Sequence, residues 1–402
     1  MAFAIAAHFL SHDPPPAFLF VLAFVPPHCL EYAPSFIQPT VIAMSTIYNF
    51  GAGPAMLPQE VLLQAQEELI DYNGTGMSIM ESSHRSPAYD EVHQEASANI
   101  RSLLSIPESY AILFLQGGAS FQFAMAPMNL LGDGQTADYT LSGAWAKKAI
   151  AEAKRLGTVH IAADCDKDRP TRVPLPSELD LTAGTAYLHV TSNETISGAQ
   201  WKTFPECEAP IVADMSSDIL SRALPIDRFG LIYAGAQKNL GPSGVTLAII
   251  RKDLAEDAPD NLPSMLRYQT HIDADSLYNT PPTFGIYLLT LVTRWVSAQG
   301  GVDALDARNQ EKSGRLYDAI DASGLYRGAA APEHRSLMNV TFNLPTEDLE
   351  AKFAKDAATE GLKGLKGHRS VGGIRASIYN AFPGEGIDAL VGFMKAFEGA
   401  NG

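Results

Sequence analysis

Positive charge is scarce in this chain and absent from its first fifth. Lys and Arg number 29 against 45 Asp and Glu, a formal net charge of −16 over 402 residues. No Lys or Arg precedes Arg85, while seven acidic residues fall before it. An acidic chain argues against nucleic acid as the main partner, because a phosphate backbone demands a basic surface. Small anions are not excluded, since they need only a local basic pocket. Cysteine is almost missing: Cys29, Cys165 and Cys207 are too few and too scattered for a disulfide framework or a thiolate zinc site. A reducing compartment fits, and no metal is implied. Long apolar runs are also lacking. The longest in the N-terminal stretch, Ala17–Val25, falls short of the roughly 20 residues that span a bilayer.

What is present divides in two. Residues 1–43 hold five prolines by residue 27 and almost no charge. They lack the basic start of a secretory signal and the arginines of a transit peptide. They read as a disordered extension that does no chemistry, added by an upstream start, with Met44 opening the compact chain; a weak targeting segment is the alternative. From Asn49 onward, short apolar runs alternate with helical patterns. Strands are expected at 111–115, 185–190, 211–214, 231–234 and 245–251, and helices at 58–72, 87–104, 143–156 and 283–298. Strands spaced by helices predict a mostly parallel, doubly wound α/β sheet, with its site at the carboxyl ends of the strands. After residue 300 the texture changes. Helices at 302–322, 346–360 and 387–400 and strands at 336–344 and 375–379 predict a smaller α+β domain.

Several residues are suited to chemistry. Lys238 lies in Tyr-Ala-Gly-Ala-Gln-Lys-Asn-Leu-Gly-Pro, where a strand meets a turn of small residues. Small neighbours let a planar ligand approach the backbone, and a lysine there suits Schiff-base chemistry with a carbonyl cofactor. It reads equally as an exposed turn lysine. Asp214 ends the apolar run Ile-Val-Ala and can hold a protonated ring nitrogen, or serve as a helix cap or metal ligand. Gln116-Gly-Gly-Ala-Ser120 follows a strand and opens a helix, a place for an anion or simply a tight turn. It lacks the Gly-Lys-Ser/Thr ending of a Walker loop. His84-Arg85, His368-Arg369 and Arg375 are basic groups suited to carboxylates and phosphates, or ordinary surface charge. Trp145 can stack on a flat ring or fill a core, and Thr195 can bond a phenolic oxygen or close a polar turn.

Together these strings resemble the phosphoserine aminotransferases, pyridoxal-phosphate enzymes of the fold type I, class V group. The matching strings include Asn-Phe-Gly-Ala-Gly-Pro-Ala-Met-Leu-Pro at 49–58, Met-Glu-Ser-Ser-His-Arg at 80–85, the Lys238 string, Tyr-Asn-Thr-Pro-Pro-Thr-Phe at 278–284, and Leu-Lys-Gly-His-Arg-Ser-Val-Gly-Gly-Ile-Arg-Ala-Ser-Ile-Tyr-Asn at 365–380. The resemblance runs from about Tyr48 to the C-terminus. It implies a segment 44–57 joining the small domain, a large cofactor-binding domain over 58–300 and a small C-terminal domain over 301–402.

The resemblance also implies roles. Lys238 would hold the cofactor and act as base and acid. Asp214 would pair with the ring nitrogen, Trp145 would stack on the ring, and Thr195 would contact its hydroxyl. Ala119, Ser120 and Gln237 would hold the cofactor phosphate. Asn279 and Thr280 would reach the phosphate in a neighbouring subunit, which implies a homodimer. His84, Arg85, His368, Arg369 and Arg375 would bind substrate carboxylates and phosphate. The implied ping-pong reaction passes an amino group from glutamate to 3-phosphohydroxypyruvate, giving 2-oxoglutarate and O-phosphoserine for serine biosynthesis, in the cytoplasm. The related phosphorylated hydroxythreonine precursor of pyridoxine shares the anionic ends and is a second candidate substrate. Some family members carry Arg where Ser120 stands, so here substrate charge must be met elsewhere. A cysteine desulfurase would need a catalytic Cys near the C-terminus, and the last is Cys207. A glyoxylate aminotransferase would not need two His-Arg pairs. A binding protein without catalysis is disfavoured by the joint presence of Lys238 and Asp214.

Overall fold

Seven strands form the main sheet of the computed structural model, which describes residues 47–402. They are β1 (Tyr110–Leu115), β2 (Thr136–Leu141), β3 (Thr158–Asp164), β4 (Leu188–Thr191), β5 (Ile211–Asp214), β6 (Phe229–Gly235) and β7 (Thr246–Arg251), in the spatial order β1-β7-β6-β5-β4-β2-β3. Strands β3, β2, β4, β5 and β6 pair in parallel, and β7 runs antiparallel between β6 and β1. The expectation of a mostly parallel sheet therefore holds, with one reversed strand. The extension proposed for residues 1–43 lies outside the described residues.

The apolar runs of these strands are nearly continuous because helices cover both faces of the sheet. Successive side chains of a strand point to opposite faces. Ala111, Leu113 and Leu115 accordingly join one core with Val212, Leu231 and Tyr233, while Ile112 and Phe114 join another with Ala213, Ile232 and Ala234. The longer helices are α1 (Gln59–Glu67), α2 (Pro87–Leu103), α3 (Gly118–Leu130), α4 (Ala144–Ala153), α5 (Thr283–Ala298), α6 (Gly301–Asp321), α7 (Glu347–Thr359) and α8 (Gly384–Asn401). Phe123 and Met125 of α3 and Ile150 of α4 cover the first face. Val92 and Ile100 of α2 and Ile286 and Leu289 of α5 cover the second.

Two strands not anticipated from sequence, β2 and β3, extend the sheet on one side. Asp138 within β2 is buried because Thr182 donates to it from both its backbone N–H (2.8 Å) and its hydroxyl (2.8 Å). Helix α1 stops five residues short of the expected Tyr72. Asn73, Gly74 and Gly76 adopt positive φ there and turn the chain away.

A separate three-stranded antiparallel sheet contains β8 (Arg327–Gly328), β9 (Asn339–Asn343) and β10 (Ile374–Ser377). Helices α7 and α8 pack on it around Phe342, Phe353, Leu390, Phe393 and Phe397. The segment Tyr48–Asn49 pairs in parallel with Leu362–Lys363, and Phe50 enters this core.

Candidate active site

Five loops leave the carboxyl ends of the parallel strands on one edge of the sheet, where α/β folds place ligands. Strand β5 ends in Asp214, and Lys238 follows β6 by three residues. Thr195 follows β4, Trp145 opens the helix after β2, and α3 starts immediately beyond β1. These residues line one cleft of about 500 Å³, together with Ala119, Ser120, Gln237, His368 and Arg375.

Lys238 is half-buried in this cleft. Its Nζ donates to Thr195 Oγ1 at 2.6 Å and lies 6.0 Å from the centre of the Trp145 ring. Burial pulls its amine down to about 8, against the attraction of Asp214 and with help from the repulsion of Arg375. A lysine with that proton affinity has a substantial neutral fraction near neutral pH, as a nucleophile or base requires. Asp214 is 5 % exposed. Burial pushes its carboxyl above the ordinary value, opposed by hydrogen bonds from Ser216. Both bonds, from the Ser216 backbone N–H at 3.0 Å and its hydroxyl at 2.6 Å, go to Oδ1. Oδ2 has no hydrogen-bond partner among the described residues, so the cleft holds an acceptor ready for a cationic N–H.

The start of α3 forms an anion cradle. Gly117 and Gly118 take positive φ, which turns the first N–H groups of the helix toward the cleft. The Gly118 N–H is taken by Thr246 Oγ1 at 2.7 Å, leaving Ala119 and Ser120 as the next donors. A side chain at Gly235 would begin 3.2 Å from Gln237 Oε1 and 3.7 Å from the Ala119 nitrogen, so glycine keeps the cradle open. Arg375 reaches the same cleft from β10, and its guanidinium Nη1 donates to the Thr195 carbonyl at 3.4 Å. Its Nε is buried without a partner among the described residues.

Pyridoxal phosphate fits this donor set. The unpartnered Oδ2 of Asp214 suits a pyridinium nitrogen, Trp145 offers a flat face, and the glycine-cleared helix start suits a phosphate. Lys238 is placed for the aldehyde carbon.

His84, Arg85, Arg369, Asn279 and Thr280 do not line this cleft. Arg85 and Thr280 are exposed, and His84 and Asn279 are partly so. A wider cavity of about 940 Å³ adjoins the cleft and shares Ile196 and Arg375 with it. Its walls carry Lys147, Lys167, Arg169 and Arg327, but neither Lys238 nor Asp214, so the chemistry belongs to the smaller cleft. Sequence reasoning missed Ser216, which orients Asp214, and Glu194, buried beside Thr195. The hydroxyl two residues beyond Asp214 was a readable signal for Ser216; nothing local in the sequence marked Glu194.

The fold and site define an aminotransferase of the pyridoxal-phosphate kind, and comparison with known proteins gives the family. The family model described as aminotransferase class-V matches residues 47–390. The chain belongs to the class-V aminotransferase family and, within it, to the phosphoserine aminotransferases. A phosphoserine aminotransferase of Lysinibacillus sphaericus is 56 % identical over 87 % of this chain and 98 % of its own length. The structure of phosphoserine aminotransferase from Bacillus circulans subsp. alkalophilus superposes with a TM-score of 0.86, at 52 % identity, over 89 % of this chain and 100 % of that one. The PLP-bound phosphoserine aminotransferase from Trichomonas vaginalis gives a TM-score of 0.84 at 41 % identity, over 87 % of this chain and 99 % of that one.

Proposed function

We propose that this chain transfers the amino group of glutamate to 3-phosphohydroxypyruvate, yielding 2-oxoglutarate and O-phosphoserine, with pyridoxal phosphate as cofactor. The observation that carries the reading is the single cleft joining Lys238, the free Oδ2 of Asp214 and the Trp145 face to an arginine.

When bound, the cofactor supplies a sink for the electron pair left as the α-proton departs. The protein residues do the rest. Asp214 Oδ2 holds the proton on the ring nitrogen and so deepens that sink. Lys238 Nζ would hold the cofactor and, once the substrate amine has displaced it, would as a neutral amine move the proton from the substrate α-carbon to the cofactor's reactive carbon. Thr195 Oγ1 orients that amine. Ala119, Ser120 and Gln237 hold the phosphate, and Trp145 covers the ring and keeps water from it. Arg375 takes a substrate carboxylate and His368 the further anionic group; Arg369, the exposed neighbour of His368 outside the cleft lining, adds positive charge beside it. Both substrates carry several negative charges, so one basic pocket serves both half-reactions.

The active species in this reading is a homodimer. His84, Arg85, Asn279 and Thr280 lie off the cleft of their own chain, where they can serve a neighbour's. Leu62, Leu63 and Ile70 on and just after α1, Met77 and Met80 shortly before His84, and Tyr278 beside Asn279 are exposed apolar residues, suited to cover by a second copy. Mixing a Lys238→Ala chain with an Asn279→Ala/Thr280→Ala chain tests this. Mixed dimers with one intact site should regain turnover, and a mixture that stays inactive rejects the shared site.

A coupled assay with glutamate as donor tests the substrate. Turnover of 3-phosphohydroxypyruvate is expected; measuring the oxo acid of the phosphorylated hydroxythreonine series in parallel shows whether the pocket also serves that precursor. No turnover of the first oxo acid overturns the assignment.

A further inference from the structure

We propose that Glu194 is a positioning residue: its carboxylate caps the helix that carries Trp145 and so locks the ring-stacking wall of the cleft to the Thr195 wall. The inference rests on the proposed role of Trp145 against the cofactor ring.

The first N–H groups of a helix need acceptors, normally supplied by Ser, Thr, Asp or Asn at the N-cap. The N-cap of α4 is Gly143, which has no side chain to offer. Its backbone is extended (φ 169°, ψ −163°), a conformation that any residue adopts, so the glycine is not there for conformational freedom. It is there for space. A Cβ at Gly143 would lie 2.6 Å from Glu194 Cδ and 2.6 Å from its Oε2. The carboxylate thus occupies the site of the missing cap.

The hydrogen bonds agree. Glu194 Oε1 accepts from the Ala146 N–H at 3.4 Å and from Ser142 Oγ at 3.2 Å. The cap therefore comes from a different strand connection, about fifty residues away, and the residue that supplies it is the immediate neighbour of Thr195. One fully buried side chain ties together Trp145 over the ring and the hydroxyl that receives the Lys238 amine.

The carboxylate is an expensive group to bury for this purpose. Its Oε2 has no partner among the described residues, and burial pushes the acid up to about 7. The charged groups that act on it are those of the site: Asp214 opposes its ionisation, and Glu194 in turn favours the protonated Lys238 amine. A residue serving only general stability would be matched better by an apolar side chain.

The test uses amide exchange of residues 142–147 in the cofactor-free protein together with the visible circular dichroism of the cofactor-loaded protein. Glu194→Ala should speed exchange in the first turn of α4 by roughly ten-fold, the size of a lost N-cap. It should also diminish the dichroic band, because the ring loses its fixed chiral wall. Glu194→Gln keeps the Oε1 acceptor and should restore both, which keeps the test sound if the alanine variant folds poorly. The combination G143S/E194A should also restore both, since the space vacated by the carboxylate admits a serine cap. G143S alone should fail, because the carboxylate still fills that space. Unchanged exchange in Glu194→Ala overturns the cap. Faster exchange with an unchanged dichroic band overturns the positioning role while leaving the aminotransferase reading intact. Loss of turnover on 3-phosphohydroxypyruvate in the parent enzyme is the separate failure that would strike that reading instead.

Discussion

Asp214→Asn should affect the cofactor-free and cofactor-loaded proteins in opposite directions. Without cofactor, the Asp214 carboxylate is a buried charge whose desolvation outweighs its partners, as its raised proton affinity shows. Burial that raises an acid's folded value makes its ionised form a net cost to stability at neutral pH. Asparagine keeps an Oδ1 acceptor for both Ser216 bonds and removes that cost, so the melting temperature of the cofactor-free variant should be equal to or above that of the parent. With cofactor, the account is reversed. A buried carboxylate facing a pyridinium N–H forms an ion pair, and removing one partner of such a pair costs about 3–5 kcal/mol. At 1.36 kcal/mol per ten-fold, that amounts to roughly a 10²- to 10⁴-fold loss, shared between cofactor affinity and turnover. Calorimetry of both forms, cofactor titration and single-turnover transfer from glutamate measure the three quantities. A variant within three-fold of the parent in affinity and turnover, or one whose cofactor-free form melts well below the parent, refutes the reasoning.

Other consequences can be checked independently. In cofactor-free protein, acylation of Lys238 should rise about ten-fold per pH unit up to about 8 and then level, because only the neutral amine reacts; a rise continuing to pH 10 would show that the amine is not depressed. Arg375→Lys should raise the KM for glutamate by roughly 10- to 100-fold, the worth of charge-assisted hydrogen bonds lost from a bidentate fork, and steady-state kinetics that leave KM unchanged would remove Arg375 from substrate binding. Deleting residues 1–43 should leave turnover and oligomeric state unchanged, as sedimentation and the coupled assay would show. The L. sphaericus relative, covered over 98 % of its length, matches only 87 % of this chain.

The sheet was largely legible because its strands are apolar on both faces. Runs such as Ala-Ile-Leu-Phe-Leu and Ile-Val-Ala-Asp announce themselves without a partner. Strands β2 and β3 did not, since Thr-Ala-Asp-Tyr-Thr-Leu interrupts its apolar pattern with an Asp whose satisfaction by Thr182 depends on the fold. Site residues at strand ends were legible for the same reason: Asp214 and Lys238 sit at the carboxyl edge because their strands do. Residues acting across the fold were not. Glu194 and Gly143 complement each other over a long sequence separation, and glycine at a helix start carries no local sign of a distant cap. The basic motifs divided by position. His368 and Arg375 reach the cleft, whereas His84, Arg85, Arg369, Asn279 and Thr280 do not line it.

The central claim is that Lys238 carries the cofactor, and the most direct test is to reduce the loaded enzyme with borohydride and locate the cofactor-derived mass by peptide mapping. The adduct should fall on the peptide containing Lys238 and vanish in Lys238→Ala, together with turnover. An adduct on another lysine, or Lys238→Ala that still transfers amino groups at the normal rate, would contradict the account.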